Sequence, residues 1–346
     1  MKALLPGLVL ALSACATIAP APTYVNPVID QDFPDPAVVR AAGGSFYVYA
    51  TQGGEPMRNI QAARSRDLVS WTQLPDVLPV KPKWASRTQD FWAPDVYRSG
   101  DRWFLYYSAK PDAALSDDKR GLCLAVATAS RPEGPFTDKG EPLLCGESFV
   151  NIDPFAFDDP ATGKTYLYWG SGFGPIKVQE LGADRMSFAT GSKPIDLVPV
   201  IKTEDAREYR RLVEGAWVTV RDGWYYLFFS GDNCCGPKAH YATMVARSRS
   251  ATGPFEVRER PLYLVLEAND RWVAPGHNSV IRDDAGTDWI LYHGVDVRQP
   301  RSKASDDVNT RRVMLLDRLE WVGGWPRIRG LSPTSDAQRG PVVKRR

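Results

Sequence analysis

The stretch Phe46-Tyr47-Val48-Tyr49-Ala50-Thr51, FYVYAT, recurs four more times in altered spelling: FLYYSA from Phe104, YLYWGS from Tyr166, YLFFSG from Tyr226 and ILYHGV from Ile290. The starts lie 58, 62, 60 and 64 residues apart. Short runs rich in aromatic and β-branched residues favour strands. Each follows a Gly-bearing turn (RAAGGS, RSGDRW, DDPATGK, RDGWY, RDDAGTD), and each turn follows another short apolar run (AVVR, DVYR, FAF, WVTVR, SVIR). Two strands about such a turn read as a hairpin. In three units, ARSRDLVSWTQL, ATASRPEGPFTD and ARSRSATGPFEV add a third and a last strand. An all-β chain with this period predicts a single five-bladed β-propeller over residues 26–330. Two unrelated β domains would need a linker, and no low-complexity stretch separates Asn26 from Arg329. The run RRVMLLDRLEWVGGWPRI is expected to complete the last blade or to pair with the N-terminal strand.

Composition agrees with a globular β protein: 346 residues, 43% hydrophobic, with 11 Trp, 14 Tyr, 13 Phe and 28 each of Gly and Pro. A net charge of +2 with no long basic block argues against a nucleic-acid partner. Lys2, the apolar run from Ala3 to Leu12 and the sequence LSAC ending at Cys15 read as a signal peptide of lipoprotein type, residues 1–15. The apolar run is too short for a membrane span. Cys15 would carry the lipid, residues 16–25 would form a tether, and 331–346 a C-terminal tail. Membrane contact is expected only through that anchor, on a bacterial outer-membrane lipoprotein or a periplasmic protein, and the chain is expected to be a monomer. Four further cysteines allow three disulfide pairings in an oxidising compartment. Cys123 with Cys145 and Cys234 with Cys235 are the favoured pairs, against free thiols.

A second repeat runs ahead of the first strand of each unit. Asp35 in FPDPAVV, Asp95 in WAPDVY, Asp153 in NIDPFAF, Glu214 in VEGAWV and His277 in PGHNSV are spaced 60, 58, 61 and 63 residues apart. The first strand of each propeller blade lines the central channel, so equivalent positions converge on one pocket. Prolines flank Asp35, fixing φ on either side and favouring extended backbone before them. Crowded, desolvated carboxylates divide into an ionised base and a protonated acid. Hydrolysis of a glycosidic bond requires that division. Asp95 is equally readable as a structural hydrogen-bond former.

These segments resemble glycoside hydrolase family 43 across Asn26 to Arg329. The resemblance matches NPVIDQDFPDPAVV to the family's opening, with Asp35 as general base. It also matches NIDPFAF to the segment whose aspartate, Asp153, tunes the acid, and VEGAWV to the segment of the general acid, Glu214. Ala216 stands where the family often has Pro. The resemblance implies single-step inversion, with water activated by Asp35 on one face and the leaving oxygen protonated by Glu214 on the other. It also implies that His277, in a phrase shared with arabinan-active members, holds a calcium ion or a water cluster in the channel. The alternative is a histidine hydrogen-bonded there without metal, since calcium prefers oxygen ligands. His293 reads as a buried, satisfied residue.

Candidate substrate contacts are Trp92 for stacking, Phe33 as a wall beside the base, Asp95, and Arg298, placed where a family arginine reaches substrate hydroxyls. The expected activity is an exported hydrolase of arabinan or arabinoxylan oligosaccharides. A β-xylosidase or bifunctional enzyme is the first alternative, and a non-catalytic sugar-binding propeller the second.

Overall fold

The computed structural model describes residues 22–117, 119–301 and 310–344; Cys15 and the leader lie outside them. Five antiparallel sheets follow one another along the chain. Blade I comprises Ala37–Arg40, Phe46–Ala50, Gln61–Ser65 and Trp71–Gln73. Blade II is built on Phe91–Ser99, Arg102–Ala109 and Cys123–Ala129, with Thr137–Asp138 and Leu144–Cys145 both paired to the third strand. Blade III holds Phe155–Asp158, Thr165–Trp169, Ile176–Glu180 and Ile195–Val198. Blade IV holds Glu214–Arg221, Trp224–Asn233 and His240–Ser248, edged by Glu256–Val257 and Leu264–Leu266. Blade V holds Trp272–Arg282, Asp288–Asp296, Val313–Val322 and Trp325–Ile328. The molecule is a five-bladed β-propeller.

The aromatic phrase is the second strand of every blade, and the geometry explains its composition. Side chains alternate between the two faces of a strand, and in a propeller both faces meet a neighbouring blade. Tyr47 and Tyr49 therefore enter the core between blades I and II, while Phe46, Val48 and Ala50 enter the core between blades V and I. The buried side chains form five such clusters, one at each junction. Burying one large apolar side chain contributes about 1.5–3 kcal/mol, so each junction is held by many such contributions and the channel-lining strands are fixed relative to one another.

The run from Arg311 to Ile328 does both things expected of it. It supplies the outer half of blade V, and it carries the N-terminal segment: Ile29 bridges Met314, and the Asn26 side chain bonds both the amide and the carbonyl of Leu316, at 2.9 and 3.1 Å. Residues read as tether and tail also join the ring, because Thr23–Tyr24 pairs antiparallel with Gln338–Arg339. Cys123 is bonded to Cys145 across adjacent strands and Cys234 to Cys235 in a hairpin loop. Among the described residues no helix is long and apolar enough to cross a membrane.

Candidate active site

One hydrogen bond at the head of each blade's inner strand ties it to the preceding blade. Ala93 N–H donates to Thr51 Oγ1 (2.8 Å), Ala156 N–H to Asp95 Oδ2 (2.9 Å), Gly215 N–H to Asp153 Oδ2 (2.9 Å), His277 N–H to Ser230 Oγ (2.8 Å) and Val38 N–H to Ser279 Oγ (3.2 Å). This ring sets the height at which each functional side chain enters the channel. The same positions carry left-handed backbone: φ is 59° at Asp35, 57° at Asp153, 64° at Gly215 and 49° at His277. Both aspartates precede a proline, where extended backbone was expected. Aspartate tolerates positive φ better than most residues, and the surrounding bonds hold it there.

Asp35 is buried, with every carboxyl contact supplied by another segment. Thr51 Oγ1 donates to Oδ2 at 2.5 Å, Arg312 Nη1 to Oδ1 at 3.0 Å, and His277 Nδ1 and His293 Nδ1 lie 3.4 and 3.1 Å from Oδ1. The Asp35 amide donates to His293 Nδ1 at 3.2 Å. Burial pushes this carboxyl up, but Arg312, with His277 and His293 behind it, more than offsets that and holds it well below the usual carboxylate range. Burial lowers His293 to about 4 and His277 below its usual value, leaving both imidazoles neutral at neutral pH.

Glu214 is the opposite case. Tyr241 Oη donates to Oε1 at 2.8 Å and Ser171 Oγ to Oε2 at 3.1 Å. Burial outweighs both bonds and, with the nearby Asp35 charge, raises the carboxyl to about 7. Asp153 is raised well above its usual value, first by burial and then by Glu214 and Asp35. The two acids titrate as a pair, beside a base that stays ionised.

Three sequence-based assignments change. Phe33 is fully buried in the core between blades V and I and presents no wall to a ligand. Asp95 bonds the amides of Ala156 and Val96, and its rise to about 7 follows from burial at a blade junction. Arg298 is an exposed rim residue paired to Asp296 at 2.6 Å; the arginine that reaches the base is Arg312, whose own amide is fixed by Asp32 Oδ1 at 2.9 Å. His293 is fully buried, as the sequence suggested, and its hydrogen-bond partner is the Asp35 amide. Trp92 is half-buried and adjoins Ala93, whose amide bonds Thr51. Thr51, Ser171, Tyr241 and Arg312 were missed, although Thr51 and Ser171 both close the aromatic phrase of their blade.

The described side chains form no cage of acidic residues of the kind that holds calcium. No group of three or more His, Cys, Asp or Glu among them is arranged to hold a metal ion, and His277 turns Nδ1 towards Asp35 and Asp153 (3.4 and 3.7 Å).

Residues 24–326 match Glycosyl hydrolases family 43. The chain is 31% identical to the β-D-galactofuranosidase xynD of Aspergillus niger over 85% of its length and 81% of that protein. It is 27% identical to the extracellular exo-α-(1→5)-L-arabinofuranosidase ArbA of Cellvibrio japonicus, over 86% of each. The crystal structure of a thermostable family-43 glycoside hydrolase superposes with a TM-score of 0.73 at 26% identity, covering 92% of this chain and 99% of that one. With the family match running over all five blades and a relative at 31% identity across most of both chains, the chain is a glycoside hydrolase and belongs to glycosyl hydrolases family 43.

Proposed function

We propose that this enzyme cleaves α-L-arabinofuranosyl linkages of arabinan-type oligosaccharides with inversion, using Asp35 as base and Glu214 as acid. The observation that carries the reading is the contrast between the two carboxyls: Arg312 keeps Asp35 ionised, whereas burial keeps Glu214 protonated up to about pH 7. Asp35 takes a proton from water as that water attacks the anomeric carbon, and Glu214 gives its proton to the leaving oxygen on the other face. Asp153, bonded to the Gly215 amide beside Glu214, shares the pair's titration and fixes the acid's backbone. Thr51, Arg312 and His293 hold the base still, as proximity catalysis requires.

The choice of sugar is supported by the arabinofuranosidase relative and the PGHNSV phrase. The 31% identity to a β-D-galactofuranosidase favours a second reading, another furanoside. The address we propose, a lipid anchor on Cys15 of an exported chain, rests on LSAC and on the extracellular relative.

The test is a screen of linear arabinan, arabinoxylan, and aryl α-L-arabinofuranoside, β-D-galactofuranoside and β-D-xyloside, with Asp35→Ala and Glu214→Ala alongside. Arabinan and the arabinofuranoside should be cleaved, both variants should lose several orders of magnitude, and the activated aryl leaving group should restore Glu214→Ala more than Asp35→Ala. Cleavage of the xyloside alone overturns the sugar assignment. Equal losses on good and poor leaving groups overturn the role of Glu214.

A further inference from the structure

Two residues along the chain from Ser171, which bonds the acid, stands an aromatic pair with no part in the acid–base chemistry. Phe173 is 64% exposed, high for a large apolar side chain, and its φ of 61° places a bulky residue in the left-handed region. Phe149, half-buried, meets it edge to face with ring centroids 5.7 Å apart. The two rings come from the segments that deliver the catalytic groups. Phe149 lies just ahead of Asp153, and Phe173 follows Ser171, which is fully buried and bonded to Glu214.

The two segments are stitched into one unit. Trp169 Nε1 donates to Asn151 Oδ1 at 3.2 Å and Gly170 N–H to Ile152 O at 3.1 Å. Gly172, at φ 70°, lies so close to Val150 that a Cβ there would fall 2.5 Å from Val150 Cγ1. A side chain at that point would meet the Val150 backbone as well, its Cβ 2.9 Å from Val150 Cα. Two Cα steps of about 3.8 Å put Phe173 within roughly 7.6 Å of Ser171 along the chain. An exposed ring held in a costly backbone conformation two residues from a side chain that bonds the acid is a feature that ligand binding would explain.

We infer that Phe173, backed by Phe149, is the platform for the sugar on the leaving-group side of the scissile bond. The inference rests on the assignment of Glu214 as acid: the oxygen it protonates carries the departing chain, and the exposed ring nearest along the chain to the Ser171 that bonds Glu214 is Phe173. The apolar C–H face of a furanose fits the free face of Phe173. The site would thereby prefer oligosaccharides over substrates with no sugar in that position.

The test compares kcat/KM for arabinotriose with that for α-L-arabinofuranosyl fluoride, whose leaving group is a single atom. Phe173→Ala should lower the value for arabinotriose about tenfold and leave the fluoride within about twofold. Phe173→Trp should keep arabinotriose activity. Phe173→Gly, which suits the left-handed backbone, should reproduce the loss without destabilising the fold. Equal losses on both substrates, or no loss on arabinotriose with an active parent enzyme, overturn the platform and leave the acid assignment standing. A parent enzyme silent on both substrates takes down the arabinofuranoside reading and the platform with it.

Discussion

Replacing Tyr241 by Phe removes a single hydroxyl, and the structure dictates the sign of the result. Tyr241 Oη donates to Glu214 Oε1 at 2.8 Å. Burial raises the phenol well above its usual value, so it remains a neutral donor throughout the working pH range. Its ring stacks on His293 with centroids 5.7 Å apart and planes 2° from parallel, and it lies against Gly276, where a Cβ would come within 2.2 Å of the ring. The hydroxyl is thus held in place by His293, which itself touches the base, and by a glycine that leaves room for it. A bond to a carboxylate favours the charged form and lowers its pKa, so its loss must raise Glu214 above about 7. Hydrogen bonds to charged groups contribute about 1.5–3 kcal/mol and one pKa unit corresponds to 1.36 kcal/mol. The Ser171 bond remains and can shorten, so the rise is about one unit. The assay is kcat/KM against pH on an unactivated arabino-oligosaccharide, where the alkaline limb reports the acid of the free enzyme. That limb should move up by about one unit, while kcat falls because the carboxyl is less firmly aimed. An unmoved limb, or one displaced downward, would refute the reasoning.

Three further outcomes follow from the same charges. Arg312→Leu takes away the largest influence holding Asp35 down; burial then acts against only the Thr51 hydrogen bond and the two imidazoles, the base protonates at higher pH, and an acidic limb should enter the measurable range, whereas an unchanged acidic side would count against Arg312. Glu214→Gln tests linkage: a carboxyl whose folded pKa is raised contributes stability below its unfolded pKa and loses it as pH rises through about 7. The variant should therefore match the parent near pH 4 and exceed it at pH 8 by on the order of 3 kcal/mol in denaturant melts; a parent more stable than the variant at pH 8 contradicts the buried-acid picture. Cys15→Ser should release the protein from the membrane fraction into the soluble one, because the acyl chains lose their attachment, and continued membrane fractionation would remove the anchor.

Legibility in the sequence followed how local each signal was. The propeller could be read because each blade is one contiguous hairpin pair, and because a second strand buried on both faces must be apolar along its whole length. Asp35, Asp153 and Glu214 could be read because acids are rare in such register. The groups that hold them were harder to see. Arg312 comes from the far end of the chain and reaches Asp35 only because blade V closes on blade I, whereas Arg298 was picked from the family resemblance as a substrate contact. Tyr241 looks like any strand aromatic, and its hydroxyl's partner lies on another strand. Thr51 and Ser171 did leave a trace, as the hydroxyl closing the aromatic phrase at the end where the channel opens. Phe33 was misread because chain proximity to a base does not reveal which way a ring points. The left-handed Asp35 was misread because the preference of residues before proline is weaker than the combined hold of Thr51, Arg312 and His293.

The central claim is that Asp35 acts through water instead of attacking the sugar, and the configuration of the first product tests it most directly. Proton NMR of the parent enzyme on an α-L-arabinofuranosyl oligosaccharide, recorded in the first minutes before mutarotation, reports which anomer is released. With Asp35 acting through water, β-arabinose units appear first and no covalent glycosyl-enzyme accumulates. First appearance of the α anomer would contradict it, since Asp35 would then have to serve as nucleophile and the roles of all three acids would change.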